Sequence, residues 1–263
     1  MAAGLVRAEF ANGVARLQLD SPRNRNALSA AMLSDLTREI MRAQANPEIR
    51  VVVLGHQGPA FSSGADLHEQ TAGFAEGRPS PGVGALAPLF ELILECPKPV
   101  VCAVGGAARA GGLGLVSACD IAIAAESASF ATGEVRLGVA PAVLSVVVLP
   151  KVGRSAAARL FLTGATIGAE EALTIGLVSE VVPDAELDQA VELVVGELLM
   201  AHPKALAATK RILSEVPTLS REDAFAAMVE LSAKLFSSPE AHEGMTAFLE
   251  RRPTSWTPPP DAD

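Results

Sequence analysis

Two glycine-containing segments of this sequence are suited to hold an oxygen atom that carries negative charge. "GPAFSSGADLHEQ" covers residues 58–70, and "ARAGGLGLVSACD" covers residues 108–120. Each follows an apolar run typical of a strand and leads into a run typical of a helix. Glycine at such a junction lets a ligand oxygen approach the backbone N–H groups of a helix N-terminus, where the dipole favours negative charge. Two such loops that aim one N–H each at a single oxygen form an oxyanion hole.

Other uses of glycine between a strand and a helix fit less well. The dinucleotide fingerprint G-x-G-x-x-G does not match the spacing in "GGAARAGGLGLV". A phosphate loop needs Lys followed by Ser or Thr, and this segment contains neither pair. Close packing of a helix on a strand stays open as the alternative, and the glycines alone would favour it.

The composition excludes several classes of protein. The chain has 263 residues, a formal net charge of −9 and 49% hydrophobic residues. A soluble globular protein is expected, and nucleic acid is not an expected partner because a broad basic face is missing. We expect no membrane span and no signal peptide. The three cysteines lack paired spacing, which favours buried thiols in the cytoplasm. The four histidines lack metal-ligand spacing, so no metal is expected.

The elements that must position the two segments follow an α/β pattern. Alternating residues and short apolar runs predict strands over residues 13–20, 50–56, 98–104, 119–125 and 128–138. A helix is predicted to begin after Ser29 as its N-cap. Its buried face is predicted to carry Leu33, Leu36, Ile40 and Met41. Strands that alternate with helices indicate the α/β fold class.

The last third of the sequence is predicted to be helical. Four helical patterns separated by Pro or Ser begin at about residue 185, and a proline-rich tail follows them. We therefore predict an α/β core over residues 1–184 and a helical region over 185–252 that contacts other subunits. Residues 253–263 form the predicted tail.

The order and spacing of these motifs resemble the crotonase (enoyl-CoA hydratase/isomerase) family. The segments that carry the resemblance are "AFSSGADL", "AVGGAARAGGLGLVSACDIAIA", "FATGEVRLGVAP" and "LTGATIGAEEALTIGLVSEVVP". It extends from about residue 5 to residue 252. The resemblance implies a spiral of ββα units followed by a helical trimerisation region, with trimers often paired into hexamers. It implies acyl thioesters of coenzyme A as substrates, with coenzyme A present only as part of the substrate and no other cofactor.

The resemblance also implies roles for individual residues. The backbone N–H groups of Ala65 and Gly111 would hold the thioester oxygen as it becomes an enolate, and Glu134 matches a catalytic glutamate of the family. The neighbouring residues expected to contact the substrate are Ser63, Gly64, Asp66, Leu67, Gly112 and Gly114. The candidates for contact with the coenzyme A moiety are Arg23, Arg25, Phe248 and Arg251. Arginine is suited to this role because it pairs well with phosphate oxygens.

A second carboxylate of the family pattern is missing. Many hydratases of the family carry an earlier glutamate, and its position falls on Gly114. We predict that substrate or water occupies the space beside Gly114, and that a distal carboxylate of the substrate orients the attacking water. The apolar neighbours Phe130, Val135 and Leu137 are predicted to raise the pKa of Glu134 toward the range that suits acid–base catalysis.

Three functions remain compatible with one glutamate. A hydratase would add water to a 2-enoyl-CoA thioester. The combination of Gly114 with "GVAPA" is similar to the branch that includes 3-methylglutaconyl-CoA hydratases, which favours a branched or glutaconyl-type acyl group. An isomerase would move the double bond, for which one carboxylate suffices. A catalytically silent acyl-CoA binder is the third possibility. Arg109 is expected to contact the pantetheine or a neighbouring subunit.

Overall fold

The apolar runs of the first two thirds pair into two sheets in the computed structural model, which describes residues 4–75 and 81–258. The strands span Val6–Ala11 (β1), Val14–Leu19 (β2), Val51–His56 (β3), Val100–Val104 (β4), Ala107–Arg109 (β5), Ile121–Ala125 (β6), Ser129–Ala131 (β7), Ile167–Gly168 (β8) and Glu180–Val182 (β9). The larger sheet has the order β1-β2-β3-β4-β6-β9, and the smaller one has the order β5-β7-β8. Strands β1 and β2 are antiparallel, as are β7 and β8, and all other pairs are parallel.

Helices connect these strands and then form the end of the chain. They span Ala30–Ala45 (α1), Leu67–Ala75 (α2), Pro81–Leu94 (α3), Gly111–Ala118 (α4), Ala142–Val148 (α5), Arg154–Thr163 (α6), Ala169–Thr174 (α7), Leu187–Met200 (α8), Pro203–Glu215 (α9), Arg221–Phe236 (α10) and Pro239–Glu250 (α11). This confirms the predicted α/β class with helices at its C-terminal end. The chain divides into compact units over 1–193 and 194–263, a boundary inside α8. In the described ranges, no helix is long and apolar enough to cross a membrane.

Helix α1 shows how closely local sequence rules are followed. The Ser29 hydroxyl accepts a hydrogen bond from the Met32 N–H at 3.2 Å, which confirms the predicted N-cap. Leu33, Leu36 and Ile40 are buried as predicted. Met41 is 55% exposed, so its prediction as a core residue is wrong. It directly follows Ile40, and adjacent residues of a helix point in different directions.

Other differences concern short strands. The strand predicted over 128–138 is limited to β7, because residues Gly133–Leu137 form a 3₁₀ helix that ends at Gly138 with φ of 79°. Strand β1 was not predicted, since it lies at the edge of the larger sheet and most of its side chains are exposed, which weakens the alternation. Strands β5, β8 and β9 have two or three residues each, too few to show a period.

Two buried aromatic rings anchor the segments that matter for function. Phe61 directly precedes the small residues of the first glycine-containing segment, and Phe130 lies in β7. Both side chains are 0% exposed and belong to the continuous hydrophobic core. Burying a ring of this size contributes roughly 1.5–3 kcal/mol. The loops around these rings therefore begin from fixed points in the core.

Candidate active site

Three parallel segments lie side by side at the centre of the candidate site. Ser62 forms an isolated parallel bridge with Ala108, and Ala108 pairs in parallel with Phe130. The first pairing is made by hydrogen bonds from Ser62 N to Ala107 O, at 3.1 Å, and from Arg109 N to Ser62 O, at 2.9 Å. We call Ser62, Ala108 and Phe130 the site row.

The predicted catalytic groups all follow the site row in the same direction. Ala65 comes three residues after the first member of the row, Gly111 three residues after the second, and Glu134 four residues after the third. Because the three segments are parallel, the chain leaves the row at one end in every case. The register therefore sends the segments of Ala65, Gly111 and Glu134, which are distant in sequence, off the same end of the site row.

The first loop, residues 62–66, touches the second loop, residues 109–111, where Gly64 meets Ala110. Gly64 has φ of +86°, and a Cβ built on it would lie 2.8 Å from the Ala110 Cβ and 2.9 Å from the Arg109 carbonyl oxygen. Only glycine fits both this conformation and this contact. Ala110 has φ of 49° and ψ of −120°, a conformation that is costly for a residue with a side chain. The contact places the next residues, Ala65 and Gly111, at the junction of the loops.

Both backbone donors of the predicted oxyanion hole lack an acceptor among the residues that the structure describes. Gly111 is the first residue of α4, where backbone N–H groups have no acceptor inside the helix. Within the described ranges, no acceptor takes the N–H of Ala65 or of Gly111. Ala65 is held in place through its neighbour Gly64, because the Gly64 carbonyl accepts a hydrogen bond from the Leu28 N–H at 2.8 Å. The arrangement supplies two fixed dipoles that have no partner within residues 4–75 and 81–258.

Packing requires glycine at Gly112 and leaves little room beside Gly111. A Cβ on Gly111 would lie 3.1 Å from Leu28 Cδ1, and a Cβ on Gly112 would lie 2.7 Å from Ser62 Cβ. The missing side chain of Gly111 therefore faces the core, and that of Gly112 faces the first loop. Close packing, the alternative left open above, explains the residue type of Gly112. The ligand would use the N–H that this packing positions.

The space beside Gly114 is filled by an aromatic ring. A Cβ on Gly114 would lie 2.4 Å from Phe90 Cζ and 3.1 Å from Leu144 Cβ. Phe90 is only 3% exposed and Leu144 only 4%. The prediction that substrate or water occupies this space is therefore wrong. At the position where the resemblance places a second glutamate, this protein has Gly114. The apolar ring of Phe90 packs against this glycine.

Glu134 lies in the 3₁₀ helix that follows β7, where burial raises the pKa of its carboxyl. Its Oε2 atom is buried and has no hydrogen-bond partner among the residues that the structure describes. Of the three predicted apolar neighbours, Phe130 is buried, Val135 is half-buried and Leu137 is 63% exposed. A partly desolvated carboxyl without a partner can accept and return a proton.

The first loop also lies against the segment that carries two candidate arginines. Ser63 N donates to the Arg25 carbonyl at 2.9 Å, and Ser63 Oγ donates to the Asn24 carbonyl at 3.3 Å. The side chains of Ser63, Arg23 and Arg25 are exposed beside this loop. Their contacts with coenzyme A stay predictions.

The other predicted binding residues have visible local roles. Asp66 caps α2, since its Oδ1 accepts from His68 N at 2.9 Å and from Glu69 N at 3.3 Å. Leu67 begins that helix and is 56% exposed. In the second unit, Phe248 is 83% exposed on α11, and Arg251 ends this helix with φ of 55°. That these four residues contact substrate stays a prediction.

Sequence reasoning missed Asn26, which supports the first loop. Its side chain is 0% exposed, its Oδ1 accepts from Ser21 N at 2.7 Å, and its Nδ2 donates to the carbonyls of Gln57 and Ala60. Its own carbonyl accepts from the Ser62 hydroxyl at 2.8 Å. An asparagine in a polar turn is an ordinary turn residue in sequence, so no signal pointed to this role.

Comparison with known proteins adds an independent line of support. A sequence model of the family described as Enoyl-CoA hydratase/isomerase matches residues 9–259. Enoyl-CoA hydratase domain-containing protein 3, mitochondrial, of Danio rerio is 32% identical over 253 residues, which cover 96% of this chain and 88% of that protein. The 2,3-dehydroadipyl-CoA hydratase of Escherichia coli is 32% identical over 243 residues, covering 90% of this chain and 92% of the relative.

A solved structure agrees with the sequence comparisons. The crystal structure of an enoyl-CoA hydratase from Mycobacterium smegmatis superposes with a TM-score of 0.90 at 32% sequence identity. The match covers 97% of this chain and 99% of that one. Similarity over nearly the full length includes the segments that carry the site row.

The packing at Gly114 predicts a steric cost for any side chain there. We expect Gly114→Ala to lower the free energy of unfolding by about 1–3 kcal/mol, because its methyl group would overlap the Phe90 ring. Urea unfolding measures the change. Gly84→Ala on α3 is the matched control, since a Cβ there meets no atom of the described residues within 4 Å, and we expect it to stabilise the protein by about 0.5–1 kcal/mol.

The cost of Gly114→Ala should largely disappear in a Phe90→Ala background, where the ring that overlaps the new methyl is gone. If Gly114→Ala and Gly84→Ala have the same effect on stability, the proposed overlap is wrong.

The environment of Glu134 predicts a pH-dependent stability difference. Because the folded state raises the pKa of this carboxyl, its charged form weakens folding as the pH rises through that pKa. We expect Glu134→Gln to raise the melting temperature relative to the unaltered protein at pH 8 by about 1–3 °C. This difference should shrink toward pH 4, where the carboxyl of the unaltered protein takes up its proton.

Thermal melting across this pH range measures the difference. Glu48→Gln replaces an exposed carboxylate and serves as the control, for which we expect no comparable trend. A stability difference for Glu134→Gln that grows as the pH falls would contradict this account.

Proposed function

This chain belongs to the enoyl-CoA hydratase/isomerase (crotonase) family, and from that membership we propose that it adds water to a 2-enoyl-CoA thioester with Glu134 as its acid–base carboxylate. The observation that supports this most is the site row. The segments that lead to Ala65, Gly111 and Glu134 all leave this row at the same end, which supports a shared role for these residues. Acyl-CoA thioesters are the substrates of the family.

The chemistry follows from charge that develops during addition. Water attacks C3 of the conjugated thioester, and the electron pair of the double bond moves to the thioester oxygen, which becomes an enolate. The N–H groups of Ala65 and Gly111 stabilise this oxygen, a contribution for which each donor typically accounts for about 10²–10³ in rate. Glu134 takes the proton from the attacking water and returns it to C2. One carboxylate therefore balances the reaction.

Migration of the double bond is the second candidate, and the ring of Phe90 is the observation that favours it. In this reaction Glu134 removes a proton from C2 of a 3-enoyl thioester and returns it to C4, while the same enolate forms in the oxyanion hole. No water takes part. An apolar ring in place of a second carboxylate beside Gly114 cannot orient a water molecule but does not hinder this proton transfer.

Recognition of coenzyme A completes the proposal. The exposed Arg23 and Arg25 lie beside the first loop, and we assign them to the phosphates. Phe248 and Arg251 of the second unit stay candidates for contact with the coenzyme A moiety. We propose a homotrimer or a hexamer built from two trimers, located in the cytoplasm. Buried Cys96, Cys102 and Cys119, all free thiols, support a reducing compartment.

Replacement of the carboxyl tests the proposed role of Glu134. We expect Glu134→Gln to lower turnover at least about 10²-fold, since it removes the acid–base group and preserves shape. Binding of a saturated acyl-CoA should stay close to that of the unaltered protein. The assay uses a panel of 2-enoyl and 3-enoyl thioesters in deuterated water. Hydration adds the mass of one deuterated water, whereas migration adds no water and introduces deuterium only where the Glu134 carboxyl exchanges its proton with the solvent before returning it.

Glu48→Gln is the control for removal of a carboxylate elsewhere, and we expect it to keep full turnover. Full turnover by Glu134→Gln would remove this residue from the mechanism. If the unaltered protein binds acyl-CoA but transforms no member of the panel, it is a binder and the proposed reaction is wrong.

A further inference from the structure

The side chain of Arg109 folds back across the smaller sheet. Its Nη1 donates to the carbonyl of Ser129 at 2.5 Å and to that of Ala108 at 3.2 Å, and its Nη2 donates to the Ser129 hydroxyl at 2.8 Å. The guanidinium is partly buried, and desolvation lowers its pKa. Three of its donors are therefore engaged within the chain, which accounts for this side chain without the pantetheine or a second subunit.

The backbone of the same residue joins the two loops of the site. Arg109 N donates to the Ser62 carbonyl at 2.9 Å, and Arg109 O packs against Gly64. The next residue, Ala110, donates its N–H to the Ala131 carbonyl at 2.9 Å. Arg109 thus contacts the first loop through its backbone and β7 through its side chain.

Ala110 has a conformation that needs external support. With φ of 49° and ψ of −120°, it adopts a backbone geometry that costs a residue with a Cβ on the order of 1–3 kcal/mol. Such a geometry persists only where surrounding contacts impose it. The peptide that follows carries the N–H of Gly111, so the conformation of Ala110 sets the direction of that donor.

We infer that Arg109 is a positioning residue for the oxyanion hole. Its guanidinium fixes the end of β5 on β7, and this keeps Ala110 in the strained conformation that aims the Gly111 N–H. The inference rests on the proposed function, because the direction of the N–H matters for rate only if a thioester oxygen binds there. Arginine suits the task because its planar fork engages a carbonyl and a hydroxyl at once, which a lysine ammonium on a flexible stem does less well.

The test compares Arg109→Met with Arg109→Lys and with a control. Arg211→Met removes an exposed ion pair to Glu215 within α9 and should change nothing. Amide hydrogen exchange of residues 108–114, measured by mass spectrometry without substrate, reports whether the segment is held. Steady-state kinetics on the substrate identified by the thioester panel then separates kcat from KM.

For Arg109→Met we expect faster exchange in residues 108–114 and a kcat lower by about 10- to 100-fold, since small misplacements of a catalytic group have effects of this size. KM should change little, because the lost interaction forms as the enolate develops. The exchange rate and the kcat of Arg109→Lys should lie between those of Arg109→Met and those of the unaltered protein. Ser129→Ala, which removes only the hydroxyl acceptor, should show a smaller change in the same direction and replaces Arg109→Met if that variant does not fold.

Unchanged exchange in both Arg109→Met and Ser129→Ala would overturn the inference, whatever the activity. Faster exchange with an unchanged kcat would also overturn it, because loosening residues 108–114 would then have no effect on the reaction. If the unaltered protein transforms no thioester, the proposed function fails. The hydrogen-exchange measurement still decides in that case whether Arg109 holds residues 108–114. Failure of the proposed function and failure of the inference about Arg109 are therefore distinguishable.

Discussion

The parallel pairing of Ser62, Ala108 and Phe130 is the constraint on which the rest of the site depends. Shifting one segment by a single residue would exchange inward and outward side chains and would move the following loop out of place. The pairing is fixed on one side by the buried ring of Phe61 and on the other by Phe130 itself. Hydrophobic burial thus sets the position of groups whose function is polar.

Glycine contributes to this site through packing as well as backbone freedom. Gly112 allows α4 to approach the first loop, and Gly114 allows the same helix to approach the ring of Phe90. A close-packed interior leaves little room for added methyl groups. The same tight contact that positions α4 therefore excludes a carboxylate from Gly114 and leaves Glu134 as the acid–base group of our proposal. Packing and chemistry are coupled at a single helix.

The main elements could be predicted from sequence because their signals are local. Ser29 as a cap, the apolar runs of the strands and the four final helices all follow rules that act over a few residues. The contact of Phe90 with Gly114 could not be predicted, since the two residues lie on different helices and no pattern links them. The hydrogen bonds from the Arg109 guanidinium to Ser129 could not be predicted for the same reason. Long-range pairs of this kind are set by the fold.

The central claim is that two backbone donors and one carboxylate act on the same thioester. A crystal structure of the protein with a saturated acyl-CoA bound tests it most directly. The account predicts that the thioester oxygen lies about 3 Å from the nitrogens of both Ala65 and Gly111, with the Glu134 carboxyl beside C2 of the acyl group. A thioester oxygen bound away from both nitrogens, or Glu134 turned away from the acyl chain, would contradict it.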